Sequence, residues 1–258
     1  MAQLSPDRLD AQLETCTAQF ADLVSASDPG LHIPTCPDWT LRQLATHVGR
    51  AHRWAAEIVR TRAVEGIPFR EVPDGAYPAE PAERDAWLRA GARRLTDAAG
   101  EAGTDIVWSF VGAVPATFWT RRMAHETLVH LADAQLAAGQ QPAMDPAAAA
   151  DAIDEWLSVM SGPNPGSADD RAAAMPVDAV MHVHATDDGL DGGEWQIRNT
   201  AGGIVVSAGG HGPGDVGLSG PAQSLLLVLM GRLPQADPGV SVHGDGGILA
   251  AWLDVTRF

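Results

Sequence analysis

The sequence predicts an α+β protein, with a helical bundle followed by a smaller domain of mixed strands and helices. Segments with apolar residues at helical spacing fill most of the first 162 residues. Short runs typical of strands appear mainly after residue 171, and SGPNPGSADD at 161–170 has the composition of a linker. We therefore place the two domains at 1–162 and 171–258.

The predicted bundle is built from long amphipathic helices with recognisable starts. Ser5 can cap the first helix, and Thr40 with Gln43 three residues later is a capping-box pattern at the start of the second. A loop at 66–80 and an apolar, partly extended connection separate the later helices. The predicted helices span 5–26, 40–63, 81–101, 116–138 and 146–161.

The second domain alternates short strands with two helices, a pattern that favours a small α+β unit. Its glycine clusters are typical of turns, and none follows a strand at the spacing of a phosphate-binding loop, so we predict no nucleotide site. Strands are expected at 177–185, 194–199, 204–208, 215–218 and 239–243, and helices at 221–231 and 246–255.

Composition excludes several function classes. The net charge of −16 argues against nucleic acid and anionic membranes as partners. All 17 basic residues are Arg, which excludes a Schiff-base lysine and a Walker lysine and is typical of a GC-rich bacterial genome.

No apolar run approaches the roughly 20 residues that span a bilayer, and the polar N-terminus does not resemble a secretory signal. We expect a cytoplasmic protein and, by default, a monomer.

Two cysteines do not make a disulfide framework. Cys16 lies on the apolar stripe of the first helix and is expected to be a small core residue. Cys36 lies in a loop before the second helix, where a metal ligand or a nucleophile is an alternative to a structural role.

The fourth helix carries polar residues within its apolar stripe. Glu126 and His130 are four residues apart, so their side chains lie one above the other on a helix. The stretch HETLVH resembles a HExxH zinc motif with one residue too many. Its two histidines, His125 and His130, are about 140° apart around a helix and cannot share one ion. We expect His125 at the surface. Glu126 and His130 form either a buried ion pair or part of a metal site.

His47 strengthens the metal hypothesis, because it lies beside the apolar stripe of the second helix and can point into the same interior. Two histidines and one glutamate are the ligands of an open catalytic zinc site, and they also suit Fe(II) or Ni(II). His52, on the same helix, either supports such a site or is a packed core residue. His182 and His184 share one face of a strand and are expected to be solvated.

Two stretches, CPDWTLRQLATHVGRAHRWA at 36–55 and WSFVGAVPATFWTRRMAHETLVHLADAQ at 108–135, resemble the N-terminal domain of mycothiol-dependent maleylpyruvate isomerase-type proteins. These belong to the DinB/YfiT-like metal-binding superfamily, and the rest of the chain is similar to the family's C-terminal domain. The resemblance implies an up-down-down-up four-helix bundle, a small α/β domain, and a divalent metal, usually Zn²⁺. It matches the metal ligands to His47, Glu126 and His130.

The resemblance also implies a function. Mycothiol would be the thiol cosubstrate, and a metal-bound thiolate would attack a small electrophile. We place S-transfer or conjugation first and maleylpyruvate cis–trans isomerisation second. Thiol-independent hydrolysis and a non-catalytic binding protein remain alternatives. An arginine of the C-terminal domain is expected to bind the acidic substrate or the thiol. Arg232 is the better match and is assigned a catalytic role, whereas Arg198, the next match, and His52 are assigned to cofactor binding.

Overall fold

The computed structural model describes residues 3–162, 172–210, 212 and 214–256. It divides into two compact units, Ser5–Ala143 and Met144–Phe258, the latter together with the first residues of the chain. The helical first unit and the sheet-containing second unit confirm the predicted fold class. Nearly all of the predicted linker lies outside the described residues.

The first unit is a bundle of four long helices with one short hairpin. The helix caps follow the sequence: Ser5 Oγ accepts the backbone N–H of Arg8, and Thr40 and Gln43 form a complete capping box. The partly extended connection is an antiparallel hairpin that precedes the last helix. The elements are α1 Pro6–Ala26, α2 Leu41–Thr61, α3 Pro81–Ala102, β1 Ile106–Ser109, β2 Gly112–Pro115 and α4 Thr117–Ala137.

Helix α4 contacts the other three helices of the bundle, α1, α2 and α3. Its buried positions therefore extend around most of its circumference instead of forming one stripe. His125 is only 1% exposed, so the prediction that it lies at the surface is wrong. The reason is that a helix packed on several sides buries residues that its apolar periodicity alone would place outside. Cys16, in contrast, is buried on α1 as predicted.

Within its described residues the second unit contains a five-stranded sheet, with the strand order β5-β4-β3-β6-β7, together with helices. Strands β3 and β6 are parallel, and the other neighbours are antiparallel. His182 and His184 share one face of β3, as predicted, and both residues are partly exposed. The Nε2 atom of His182 is buried, so the expected solvation does not hold for this ring nitrogen. The elements are α5 Pro146–Ser161, β3 Val180–Ala185, β4 Glu194–Thr200, β5 Gly203–Ala208, β6 Val216–Gly220, α6 Ala222–Leu229, β7 Ser241–Gly244 and α7 Gly246–Thr256.

Helix α5 belongs to this second unit although it precedes the linker, so the predicted domain boundary after residue 162 is wrong. Its apolar side packs within the second unit, where the rings of Trp156 and Trp252 meet edge to face. Trp195 Nε1 donates to Asp154 Oδ1 at 3.3 Å, which ties α5 to the sheet. Among the described helices, none is both long enough and apolar enough to cross a bilayer.

Candidate metal centre

Three side chains from two helices of the bundle meet at one point. His47 comes from α2, and Glu126 and His130 come from successive turns of α4. Glu126 Oε1 lies 3.0 Å from His47 Nε2 and 3.3 Å from His130 Nε2. One donor atom from each residue lies within 4.8 Å of the other two. The structure thus brings together the three predicted metal ligands.

The local sequence explains this convergence. The spacing of four residues places Glu126 and His130 on one side of α4. On α2, the neighbours Leu44 and Val48 are fully buried, and they fix the rotation of the helix so that His47 lies at the margin of the core. Because α2 packs against α4, the His47 imidazole reaches the α4 pair.

Glu126 is held in its charged form. Burial alone would raise the pKa of this carboxyl, but the Arg122 guanidinium and the hydrogen bonds from His130 and His47 lower it well below its usual range. Arg122 Nη2 contacts Glu126 Oε2, so Oε1 alone faces both histidines. The carboxylate therefore presents a single oxygen to the centre.

A buried carboxylate, Asp133, orients the ring of His130. It lies three residues after His130 on α4 and is 0% exposed. Its Oδ2 accepts a hydrogen bond from His130 Nδ1 at 2.8 Å. Burial alone would lower the pKa of His130, but the hydrogen bonds to Asp133 and Glu126 and the charges of both raise it to about 9. At neutral pH the metal-free ring therefore carries protons on both nitrogens. If a metal displaced the proton on Nε2, Asp133 would keep the other on Nδ1, and the Nε2 lone pair would face the centre.

Two residues of the loop before α2 donate hydrogen bonds to the Asp133 carboxylate. Thr35 Oγ1 donates to Asp133 Oδ1 at 2.6 Å, and Cys36 Sγ donates to Asp133 Oδ2 at 3.8 Å. Backbone hydrogen bonds between Ile33 and Trp39 and between Trp39 and Cys36 close the loop. Sequence reasoning missed Asp133, although an acidic residue at the i+3 position from an inward histidine is a detectable signal.

Aromatic side chains flank His47. The ring centroid of Trp39 lies 4.9 Å and that of Phe69 5.9 Å from the imidazole centroid. Both residues are partly exposed, and they come from the loops before and after α2. They give the centre an apolar wall on the His47 side.

His52 lies in the packed interior and not among these donor atoms. Its ring is 0% exposed, and Nε2 is 2.8 Å from Thr127 Oγ1. The Thr127 hydroxyl donates to the carbonyl of Met123, so it accepts its hydrogen bond from His52. Burial, with the charge of Arg53 next, lowers the pKa of His52 to about 3. This environment matches the packed-core alternative for His52.

The two candidate arginines belong to the second unit. Arg232 follows α6, is 9% exposed, and donates from Nη1 to the carbonyl of Met230 at 2.7 Å. Arg198 lies on β4 with an exposed side chain, in register between Val180 and Val205. Their roles in binding substrate or thiol stay predictions.

The donor set fits a divalent cation. Two imidazole nitrogens and one carboxylate oxygen are the ligands of open zinc sites and also suit other first-row metals. The carboxylate that orients His130 is the kind of neighbour that ligating histidines have in such sites. The fold and the site thus define a two-domain protein with a candidate metal centre in a helical bundle.

Comparison with known families is consistent with this class. Residues 9–135 match the family described as "Mycothiol maleylpyruvate isomerase N-terminal domain", and residues 147–251 match "MDMPI C-terminal domain". The chain therefore belongs to the mycothiol-dependent maleylpyruvate isomerase family, which is an enzyme family. The second match begins at α5, in agreement with the division of the structure.

Two solved structures share the fold. A mycothiol-dependent maleylpyruvate isomerase superposes with a TM-score of 0.61 at 14% identity, over 94% of this chain and 95% of that chain. A histidine-to-alanine mutant of a mycothiol-dependent maleylpyruvate isomerase gives the same TM-score and coverage at 15% identity. At these identities the likeness shows the fold alone. No curated protein is a significant match.

Proposed function

We propose that the protein is a metal- and mycothiol-dependent isomerase that acts on a small unsaturated acid of the maleylpyruvate type. The observation that carries the proposal is the convergence of His47, Glu126 and His130, with the ring of His130 oriented by Asp133. The family descriptions supply the thiol and the reaction class. They favour the isomerase over S-transfer, although the sequence alone favours S-transfer.

The residues present define how a metal would be held. His47 Nε2, Glu126 Oε1 and His130 Nε2 would be its protein ligands, which leaves a position for the thiol. A bound divalent cation such as Zn²⁺ would supply the positive charge that lowers the pKa of a thiol. Arg122 neutralises the second oxygen of Glu126, so the carboxylate offers one oxygen to the site.

The isomerase and S-transfer alternatives differ in the fate of one adduct. In isomerisation, the thiolate would add to the cis double bond, and the electron pair of that bond would move to the conjugated carbonyl oxygen of the substrate. The resulting single bond would rotate, the electron pair would return, and the same carbon–sulfur bond would break to release the trans acid and the thiolate. The thiol is therefore regenerated. In S-transfer the carbon–sulfur bond persists and the thiol is consumed. Trp39 and Phe69 would exclude water from the His47 side in either case.

The remaining parts of the proposal concern the residues that bind the substrate carboxylates, the partners of the protein, its oligomeric state and its location in the cell. Arg232 and Arg198 are the candidates for binding the carboxylates of the substrate or the thiol. The partners in this proposal are a low-molecular-weight thiol and a small electrophile. The protein would act as a monomer in the cytoplasm, and its net charge of −16 supports the absence of a nucleic-acid partner.

One experiment separates the alternatives. The purified full chain is analysed for bound metal and then incubated with mycothiol and maleylpyruvate. The isomerase proposal expects the trans acid to form at constant thiol concentration. A conjugate mass with thiol consumption would support S-transfer instead. Hydrolysis of an ester or amide without thiol would support a hydrolase, and binding of metal and thiol without any product would support a non-catalytic protein.

Variants connect the activity to the site. His47→Ala and His130→Ala should each lose both the metal and the turnover, because two protein ligands hold a divalent ion poorly. His184→Ala is the matched control, since it removes a histidine that is not among the donors. Full metal content in His47→Ala would contradict the assignment of the ligands.

A further inference from the structure

A second group of donor atoms lies on the other side of His130. Cys36 Sγ, one ring nitrogen of His130 and an oxygen of Asp133 lie within 4.8 Å of one another. Cys36 Sγ is 3.8 Å and His130 Nδ1 is 2.8 Å from the same oxygen, Asp133 Oδ2. We propose that this Cys36 cluster is a second cation site, selective for a thiophilic divalent metal, and that it competes with the first centre for His130.

The chemistry and spacing of these donors support the proposal. A thiolate, an imidazole and a carboxylate are a ligand set for zinc and for softer ions. Ligands about 2.0–2.3 Å from a tetrahedral ion lie roughly 3.3–3.8 Å apart. The 3.8 Å between Cys36 Sγ and Asp133 Oδ2 is in this range, whereas the 2.8 Å between His130 Nδ1 and Asp133 Oδ2 is a hydrogen bond that would have to lengthen when a cation replaces its proton. A cation would take the place of the two protons, on sulfur and on nitrogen, that now point at Asp133.

The burial of the residues in the Cys36 cluster also favours the binding of a cation. Asp133 is completely buried, so a cation beside it would gain from a carboxylate that water does not screen. Cys36 is only partly buried and lies in the loop that precedes α2, so the cluster is not enclosed on all sides by buried residues. The Thr35 hydroxyl, 2.6 Å from Asp133 Oδ1, keeps the carboxylate in place.

The competition follows from the chemistry of imidazole. The first centre uses His130 Nε2, whereas the Cys36 cluster would use Nδ1. A neutral imidazole has one nitrogen lone pair. An ion on Nδ1 therefore leaves the proton on Nε2, and His130 no longer serves the first centre. This competition rests on the proposed function, whereas binding of an ion by Cys36 does not.

The site is tested on the metal-free full chain by titration with Cd²⁺ and, separately, with Co²⁺. The proposal expects thiolate-to-metal charge-transfer absorption in the ultraviolet in the wild type and in Cys16→Ser, and its loss in Cys36→Ser. Cys16 is the matched control because it is the chain's other cysteine and is buried on α1. Absence of the band in the wild type, or its persistence in Cys36→Ser, would overturn the proposal. Far-ultraviolet circular dichroism verifies that Cys36→Ser is folded.

The competition is tested on protein whose first centre is loaded with Co²⁺. The visible d–d bands of the bound Co²⁺ report how much of this centre is occupied. Adding Cd²⁺ should bleach these bands in Cys16→Ser and leave them in Cys36→Ser at the same concentration. Equal bleaching in both variants would show direct displacement and would overturn the competition. If the charge-transfer band appears but no d–d bands depend on His47, the first centre is refuted. The proposal that Cys36 binds a cation would then still hold.

Discussion

Replacing Asp133 by Asn tests whether the buried carboxylate sets the metal affinity of the candidate centre. The substitution keeps the shape of the side chain and removes its charge. In the wild type, Asp133 Oδ2 accepts from His130 Nδ1 at 2.8 Å and Oδ1 accepts from Thr35 at 2.6 Å. The amide oxygen would keep the bond to His130, and the Thr35 hydroxyl would accept from the amide nitrogen. The hydrogen bond to His130 would then lack the charge of the acceptor.

The expected loss of metal affinity follows from the change in this hydrogen bond. Loss of a partner that orients a ligating histidine typically reduces metal affinity by about 10- to 100-fold, or about 1.4–2.7 kcal/mol. The Zn²⁺ affinity should fall about tenfold in Asp133→Asn, which keeps the hydrogen bond to His130, and about 100-fold in Asp133→Ala, which loses it. Zn²⁺ affinity is measured by competition with a chromophoric chelator at fixed pH.

Thr35→Val is the control for a general disturbance of this region. It removes the donor to Oδ1 and leaves the bond between Oδ2 and His130 intact. Its effect on Zn²⁺ affinity should therefore be smaller than that of Asp133→Asn. Wild-type affinity in Asp133→Ala, or an equal loss in Thr35→Val, would refute the reasoning that the carboxylate acts through His130.

Three further predictions follow from burial and charge. The pKa of His130 in the metal-free protein is raised to about 9, so binding of Zn²⁺ at neutral pH should release a proton, and the calorimetric binding enthalpy should vary with the ionisation enthalpy of the buffer. Burial lowers the pKa of His52 to about 3 from an ordinary 6.5, so the unfolded state binds more protons in this range. The free energy of unfolding in urea should therefore fall as the pH drops from 6.5 toward 3, less steeply in His52→Gln. A Cβ at Gly49 would lie 2.0 Å from the ring of Trp87, so Gly49→Ala should destabilise by about 1–3 kcal/mol, whereas Gly100→Ala, which meets nothing within 4 Å, should not destabilise.

Much of the local architecture could be predicted from the sequence. Helix starts at Ser5 and Thr40 depend on side chains within one turn of the cap, so they are visible in a short window. The pairing of Glu126 with His130 depends on the helical repeat alone. In each case the interacting residues are close along the chain, and the geometry of one element determines their relation.

What the sequence by itself determined is therefore local: which segments are helices or strands, and which residues share a face. Only the tertiary structure decided that His47 meets the α4 pair, that Asp133 joins the loop at Thr35, and that His125 is buried. It also decided that α5 packs with the sheet. These relations join residues that are distant along the chain. They depend on how whole helices rotate and pack to fill one core, and the periodicity of a single segment does not specify that.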